Sequence, residues 1–329
     1  MINKHTTNEV LSTSLPVVAE ITIYTLMSIF DLMMIGRYGG NIAVSAVGLS
    51  NNLTNAFIGI FISGGFCISI VSLVSRLVGA KQYKIAEKFA SLGFILGIGF
   101  SLIITIVVFL FGKKLLYLIG ARNEILEMGY SFIKINAIAI FFSMNMRLLN
   151  SILIGYGNTF TPFICSLIVI FLKVILNYLL IFGIVSKARG IDGSAIASTI
   201  AYICGFIFSF YYTVFKAKIK FKPFYIFSIS FKDIKKILTL AIPCSMEEAM
   251  FSISKLICVA IIIHSGSISF AADEIANMIE GISVMPSIGF GIAVITLVGL
   301  NVGKGDYKKA KRAALNCAFY AVFMMSIFA

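Results

Sequence analysis

Apolar residues run along this chain in long unbroken stretches, separated by short segments that are polar and mostly basic. Runs without Asp, Glu, Lys or Arg cover 38–75, 89–112, 148–172, 194–215, 281–303 and 313–329. A helix needs about 20 apolar residues to cross a bilayer. The apolar/polar alternation of a transmembrane barrel is absent, so the pattern predicts helices. Nine spans are expected, at 10–36, 44–75, 86–112, 124–153, 160–186, 193–215, 237–264, 273–302 and 313–329.

Composition agrees with that pattern. The 329 residues are 59% hydrophobic and 12% charged, with mean hydropathy +1.00, whereas a soluble domain carries about 25% charged residues. The expected class is an all-α polytopic membrane protein. The net charge of +13 changes meaning once the spans are placed. With the N-terminus inside, 17 of the 27 Lys and Arg fall in inside segments and 6 outside, which is the positive-inside rule. The basic excess therefore sets topology and is no sign of nucleic acid. The N-terminus lacks signal-peptide features, so the first helix is expected to be retained. The expected location is the cell membrane, with a cytoplasmic N-terminus.

Two carboxylic acids break the first apolar stretch, Leu15–Gly40: Glu20 and Asp31. They lie eleven residues apart, about three helical turns, so they share one face with Tyr24 and Met27 between them. An ionisable group inside a membrane is costly and by default marks a pathway or coupling site. Lys173 is the next such feature, following twenty-five charge-free residues in the fifth span. It either pairs with Asp31 as an internal cation or snorkels to an interface.

The chain also repeats itself. Leu77–Lys88 (LVGAKQYKIAEK) and Asn301–Arg312 (NVGKGDYKKAKR) share Val, Gly, Tyr, Lys and Ala in register. Leu15-Pro16 and Ile242-Pro243 open the matching first helices. Internal repeats are common in transporters, with the substrate site at the repeat interface. An even number of spans precedes the second copy, so the copies are related by an axis along the membrane normal. The predicted organisation is an N-lobe at 1–220, an interfacial or cytoplasmic linker at 221–236 and a partial C-lobe at 237–329. The second copy breaks off inside its third span, on the order of 100 residues short of the first by span length, as in a fragment or truncated product.

At this point specific motifs resemble the MATE (multidrug and toxic compound extrusion) family. They are Phe30-Asp31 followed by Gly36-Arg37 and Gly39, Gly155-Tyr156-Gly157-Asn158-Thr159 with Pro162, and Leu176-Asn177-Tyr178 leading to Gly183. Pro243 with Glu247, Lys255, and Asp306-Tyr307 extend the likeness into the second copy. The resemblance implies two pseudo-symmetric six-helix lobes, of which about nine helices are present. It also implies export of cationic, amphipathic or aromatic compounds by alternating access, in exchange for H+ or Na+, with no further cofactor. An archaeal branch of the family proposes the first-helix aspartate as a cation site, a role that carries over to Asp31. That branch has Asn and Asp on the fifth helix where this chain has Lys173 and Asn177, so proton coupling gains on sodium.

The candidate coupling residues are thus Asp31, Glu20, Lys173 and Asn177. Candidate cavity residues are Tyr24, Met27, Asn52, Glu247, Glu248, Lys255 and Glu280. Each has a plainer reading: a capped carboxylate near the interface for Asp31, a dipole-favoured helix-start acid for Glu20, and a salt bridge for the Glu247–Glu248/Lys255 group. The expected partners are small cationic organic molecules and the lipid bilayer, without nucleotide. GLNVGKG at 299–305 lacks the GxxxxGK[ST] spacing of a phosphate loop. The six cysteines stand singly and there are only two histidines, so neither a disulfide frame nor a zinc site is expected. No catalytic arrangement points to an enzyme. The alternatives are a lipid-linked oligosaccharide flippase of the same superfamily, with Arg147 and Lys173 as the cations for its pyrophosphate, or an inactive remnant.

Overall fold

In the computed structural model, residues 4–183, 189–217, 219 and 230–328 are described; the expected linker at 221–236 lies outside them except for 230–236. Those residues form an all-helical bundle: α1 (Lys4–Phe57), a π-helical segment (Ile58–Cys67), α2 (Ile68–Gly79), α3 (Tyr83–Leu118), α4 (Asn123–Gly155) and α5 (Phe160–Ile181). There follow α6 (Gly190–Tyr211), a short π turn (Tyr212–Lys216), α7 (Phe231–His264), α8 (Ser267–Gly303) and α9 (Tyr307–Phe328). Six helical stretches among them are long and apolar enough to cross a membrane.

α1 comprises two membrane-length limbs. Gly40 (φ 61°, ψ −157°) breaks the helix between them, in a backbone region that only glycine enters cheaply. The second limb continues through the π segment into α2, so the chain reverses at Gly40. Ser230 caps α7 by accepting from the Lys232 amide at 3.3 Å, with Asp233 in the first turn where the helix dipole favours a carboxylate.

The core is a continuous cluster running through the second limb of α1, the π segment, α2, α3 and α4, with Leu49, Ile62, Ile70, Leu92, Ile133 and Met144 fully buried. Large apolar side chains such as Leu102, Ile103, Leu110, Phe171, Phe251 and Phe319 lie exposed. On a bundle surface this is the lipid-facing pattern, in which apolar burial is not the force that joins helices.

Backbones approach closely instead. The C-terminal ends of α2 and α8 cross at the repeated glycines. A Cβ on Gly79 would lie 2.9 Å from the Leu300 carbonyl carbon, and one on Gly303 would lie 2.8 Å from the Ala80 amide nitrogen. The two copies of the sequence repeat therefore meet each other, glycine against backbone. Two ion pairs fasten the same end of the bundle: Lys88 on α3 with Asp233 on α7 at 2.6 Å, and Lys309 on α9 with Glu9 on α1 at 2.7 Å. The Lys88 hydrogen bond holds the Asp233 carboxyl below the ordinary carboxylate range.

Gly79→Val is expected to destabilise the fold by about 1–3 kcal/mol, since the new side chain has only backbone to displace. Thermal unfolding in detergent checks this, with Gly99→Val as the control because nothing lies within 4 Å of a Cβ there. The Asp233 shift gives a pH prediction. A carboxyl whose folded pKa is depressed adds stability above its unfolded pKa of about 3.9 and loses it as pH falls through the folded value. Lys88→Gln should therefore lower stability at pH 7 by no more than about 1 kcal/mol, as befits a partly exposed pair. The difference from the unsubstituted protein should shrink as the same melting curves are taken at pH values falling below the unfolded pKa and through the folded one.

Candidate functional site

The first limb of α1 and α5 run parallel, side by side, and their polar residues meet in register. Ser166 donates its hydroxyl to the Glu20 carboxylate at 2.6 Å, and eleven residues further along both helices Asn177 Nδ2 donates to Asp31 Oδ1. The sequence separation is 146 in both cases, as parallel helices of equal rise require. Lys173 and Asn177 are four residues apart and so share a face of α5. Lys173 Nζ forms an ion pair with Asp31 Oδ2. One carboxylate is thus held by a cation and an amide from the same face of the neighbouring helix.

Burial makes this contact consequential. Lys173 is 9% exposed and Asn177 fully enclosed. Removing one partner of a buried pair leaves an uncompensated charge, at a cost of about 3–5 kcal/mol. Of the two readings of Lys173 open in the sequence, the structure shows the paired one.

Asp31 and Lys173 form part of the wall of a cavity of about 600 Å³. Glu20, Tyr24 and Met27 line it from α1, Asn52 and Asn55 from the second limb, and Arg147 and Asn150 from α4. Tyr202 of α6 and Lys255 of α7 complete that wall, and α8 contributes Glu274 and Asn277. Asn52 donates to the Glu274 carboxylate, bridging the second limb of α1 to α8. Asn277 donates to Asp273 at 2.9 Å. Thr25 of α1 meets the Met285 sulfur at 2.7 Å, a further contact between α1 and α8.

Several expected cavity residues lie elsewhere. Glu247 is exposed, and Glu248 packs against the glycines of the π segment, where a Cβ on Gly59 would sit 2.8 Å from its carboxylate. Neither lines the cavity, although Lys255 from the same helix does. Glu280 is exposed and also lies off the lining. On α8 the lining residues follow helical spacing through Glu274, Asn277, Met285, Ile288, Ile292 and Ile295. Glu280 is six residues past Glu274, about 240° around the helix, and so points away from that stripe. The acid of α8 in the cavity is Glu274, which was not among the residues expected there. The helical period of the apolar stripe, extended back from Ile295, was the signal that could have found it. Arg147 and Tyr202 are likewise in the wall. Among the described residues no group of three His, Cys, Asp or Glu could hold a metal ion.

These features define a polytopic α-helical membrane protein with a polar chamber between helices of both sequence copies. The MatE family profile matches residues 16–179 and 243–329, and the chain belongs to the MatE family. It is 25% identical over 91% of its length to the "Probable multidrug resistance protein NorM" of Thermotoga maritima, covering 64% of that protein. It is 23% identical over 96% of its length to the "Uncharacterized transporter YisQ" of Bacillus subtilis, covering 69% of it. The chain thus spans about two thirds of the length of the curated relatives it matches. A solved MOP superfamily transporter from Pyrococcus furiosus has the same fold, with TM-score 0.86 and 21% identity over 97% of this chain and 70% of that one.

Lys173→Met is expected to lower stability by about 3–5 kcal/mol by leaving the Asp31 carboxylate without its cation. Adding Asp31→Asn in the same chain should recover at least half of that loss, since both charges are then gone. Thermal unfolding of the two single variants and the double variant in detergent measures the coupling; strictly additive losses would show that the pair is not energetically linked.

Proposed function

We propose that this chain works as an antiporter that exports cationic, amphipathic or aromatic drugs in exchange for a cation, H+ rather than Na+, by alternating access. The observation that carries the reading is Asp31, tied to Lys173 and Asn177 on the wall of a chamber large enough for a small organic molecule. In this reading residues 1–220 and 237–329 are the two lobes, joined by the 221–236 linker. The membrane is the cell membrane and the N-terminus is cytoplasmic, the arrangement that the distribution of Lys and Arg favours.

The mechanism follows from the charges. A proton taken up by Asp31 neutralises the carboxylate and strands Lys173 as a buried, unpaired ammonium. That state is costly, so protonation favours a different packing of α1 against α5. A cationic drug reaching Asp31 competes with Lys173 for the same carboxylate, which makes drug occupancy and proton occupancy alternatives. Tyr24, Met27 and Tyr202 supply apolar and aromatic surface for such a molecule, and Glu20 adds a second acid on the same α1 face. A membrane potential of 100 mV adds about 2.3 kcal/mol per charge moved.

Ethidium efflux from proteoliposomes tests the reading. An imposed pH gradient should drive efflux and a sodium gradient should not, and Asp31→Asn should lower the gradient-driven rate at least about tenfold, the factor given by 1.4 kcal/mol. Full coupled efflux by Asp31→Asn would remove Asp31 from the mechanism. No efflux from the unsubstituted chain under either gradient would overturn the antiporter reading.

A further inference from the structure

Away from the chamber, the N-terminal part of α7 carries a second concave surface. From Phe231 through Ile234, Lys235 and Leu238 to Ile242 the residues recur at steps of three and four, which puts them on one face of the helix. A groove of about 520 Å³ opens along this face, and among the described residues its wall is that stripe together with Thr239 and Pro243. From Phe231 to Pro243 the stripe runs about 18 Å, at about 1.5 Å per residue. Half of a bilayer's hydrocarbon core is about 15 Å thick. The groove therefore has the length of one acyl chain in one leaflet.

One end of the groove is basic. Lys232, Lys235 and Lys236 stand in the first two turns of α7, and Lys84 and Lys88 in the first two turns of α3. The two helix starts lie at one level, since Lys88 pairs with Asp233 at 2.6 Å and Lys236 lies 5.8 Å from the centre of the Phe89 ring. Those contacts engage Lys88 and Lys236. Lys232 and Lys235 are exposed and form no ion pair among the described residues. Side chains three apart on a helix start about 5–6 Å from each other, so both ammonium groups can reach a single phosphate. Phe231, 80% exposed beside them, is the kind of side chain that settles at headgroup level.

A pair of free lysines at the mouth of an apolar groove is complementary to a ligand with phosphate at one end and hydrocarbon at the other. We propose that Lys232, Lys235 and the groove beneath them bind one anionic phospholipid, its phosphate on the two ammonium groups and an acyl chain along Leu238, Ile242 and Pro243. Lysines that merely snorkel from a lipid-facing helix serve any bilayer. This pair differs in standing over a recess, with Lys88 and Lys236 fixed by protein contacts as further positive charge around it. The lipid sits beside the contact of α3 with α7, one helix from each copy of the sequence repeat. The site is on the outer surface of the bundle, and it holds whether or not the chain transports.

The test uses two lipids with the same chains, dioleoyl phosphatidylglycerol and the zwitterionic dioleoyl phosphatidylcholine. Each is titrated into the detergent-solubilised chain and bound lipid is counted by native mass spectrometry. The first phosphatidylglycerol should bind at least about fivefold more tightly than phosphatidylcholine. Lys232→Gln combined with Lys235→Gln should abolish that preference and leave phosphatidylcholine binding within about twofold, which also reports an intact fold. Lys308→Gln combined with Lys311→Gln removes two exposed lysines at the start of α9 and should leave the preference in place. Glycerol phosphate, the same anion without chains, should not displace phosphatidylglycerol from the unsubstituted chain even in large excess. Equal affinity for the two lipids, or a preference that survives loss of Lys232 and Lys235, would overturn the site. So would equal losses in both lysine pairs, which mean diffuse charge, or displacement by glycerol phosphate, which means that phosphate alone is the ligand.

Discussion

A carboxylate buried in a membrane has few permissible surroundings, and Asp31 has found one that involves a neighbouring helix. The ion pair with Lys173 and the hydrogen bond from Asn177 both come from a single face of α5. Both side chains are largely buried, so α1 and α5 stay in one register for as long as the pair persists. The Glu20–Ser166 contact, at the same sequence offset, extends that register along the helices. What stands on the chamber side of α1, from Glu20 through Tyr24 and Met27 to Asp31, is therefore positioned by its partners on α5.

The other wall is positioned differently. Where α2 meets α8, glycines replace charges: Gly79 and Gly303 bring two backbones together at the points where the sequence repeats itself. Close backbone contact gains dispersion energy without any polar group to satisfy, which is the natural solution where lipid competes for every apolar surface. The π segment follows the same logic, since Gly59, Gly64 and Gly65 let Glu248 and Ser245 of α7 lie against it. One side of the chamber is thus held by a displaceable ionic contact and the other by shape. Of the two, only the ionic contact can be switched by a proton or a cation.

How much of this was legible in the sequence depended on whether a feature is local or relational. The helices were legible, because apolar length suffices, and so was the turn near Gly40, which the Arg37-Tyr38-Gly39-Gly40 run marks. The shared face of Glu20 and Asp31 needed only the helical period. Lys173 could be seen because one charge stood in twenty-five charge-free residues, although its partner could be named only as one of two outcomes. Glu247, Glu248 and Glu280 went another way. An internal repeat equates positions along the chain, but which side of α7 or α8 faces the chamber is set by packing against α1, α2 and the π segment. Glu274 was missed for the same reason. It sits where the repeat offers no acid to match, and its membership of the chamber depends on Asn52, 222 residues away.

The unequal satisfaction of the chamber charges bears on how a transporter of this kind would avoid binding its cargo too well. If every acid were bare, a cationic molecule would meet deep wells on entry and leave slowly. Here Asp31 and Glu274 already have protein partners, so a ligand gains only the difference between its own contact and the one it displaces. The depth of the well at each acid is then set by the protein contact that a ligand has to displace, and the hardest to displace is at Asp31, which holds both a cation and an amide.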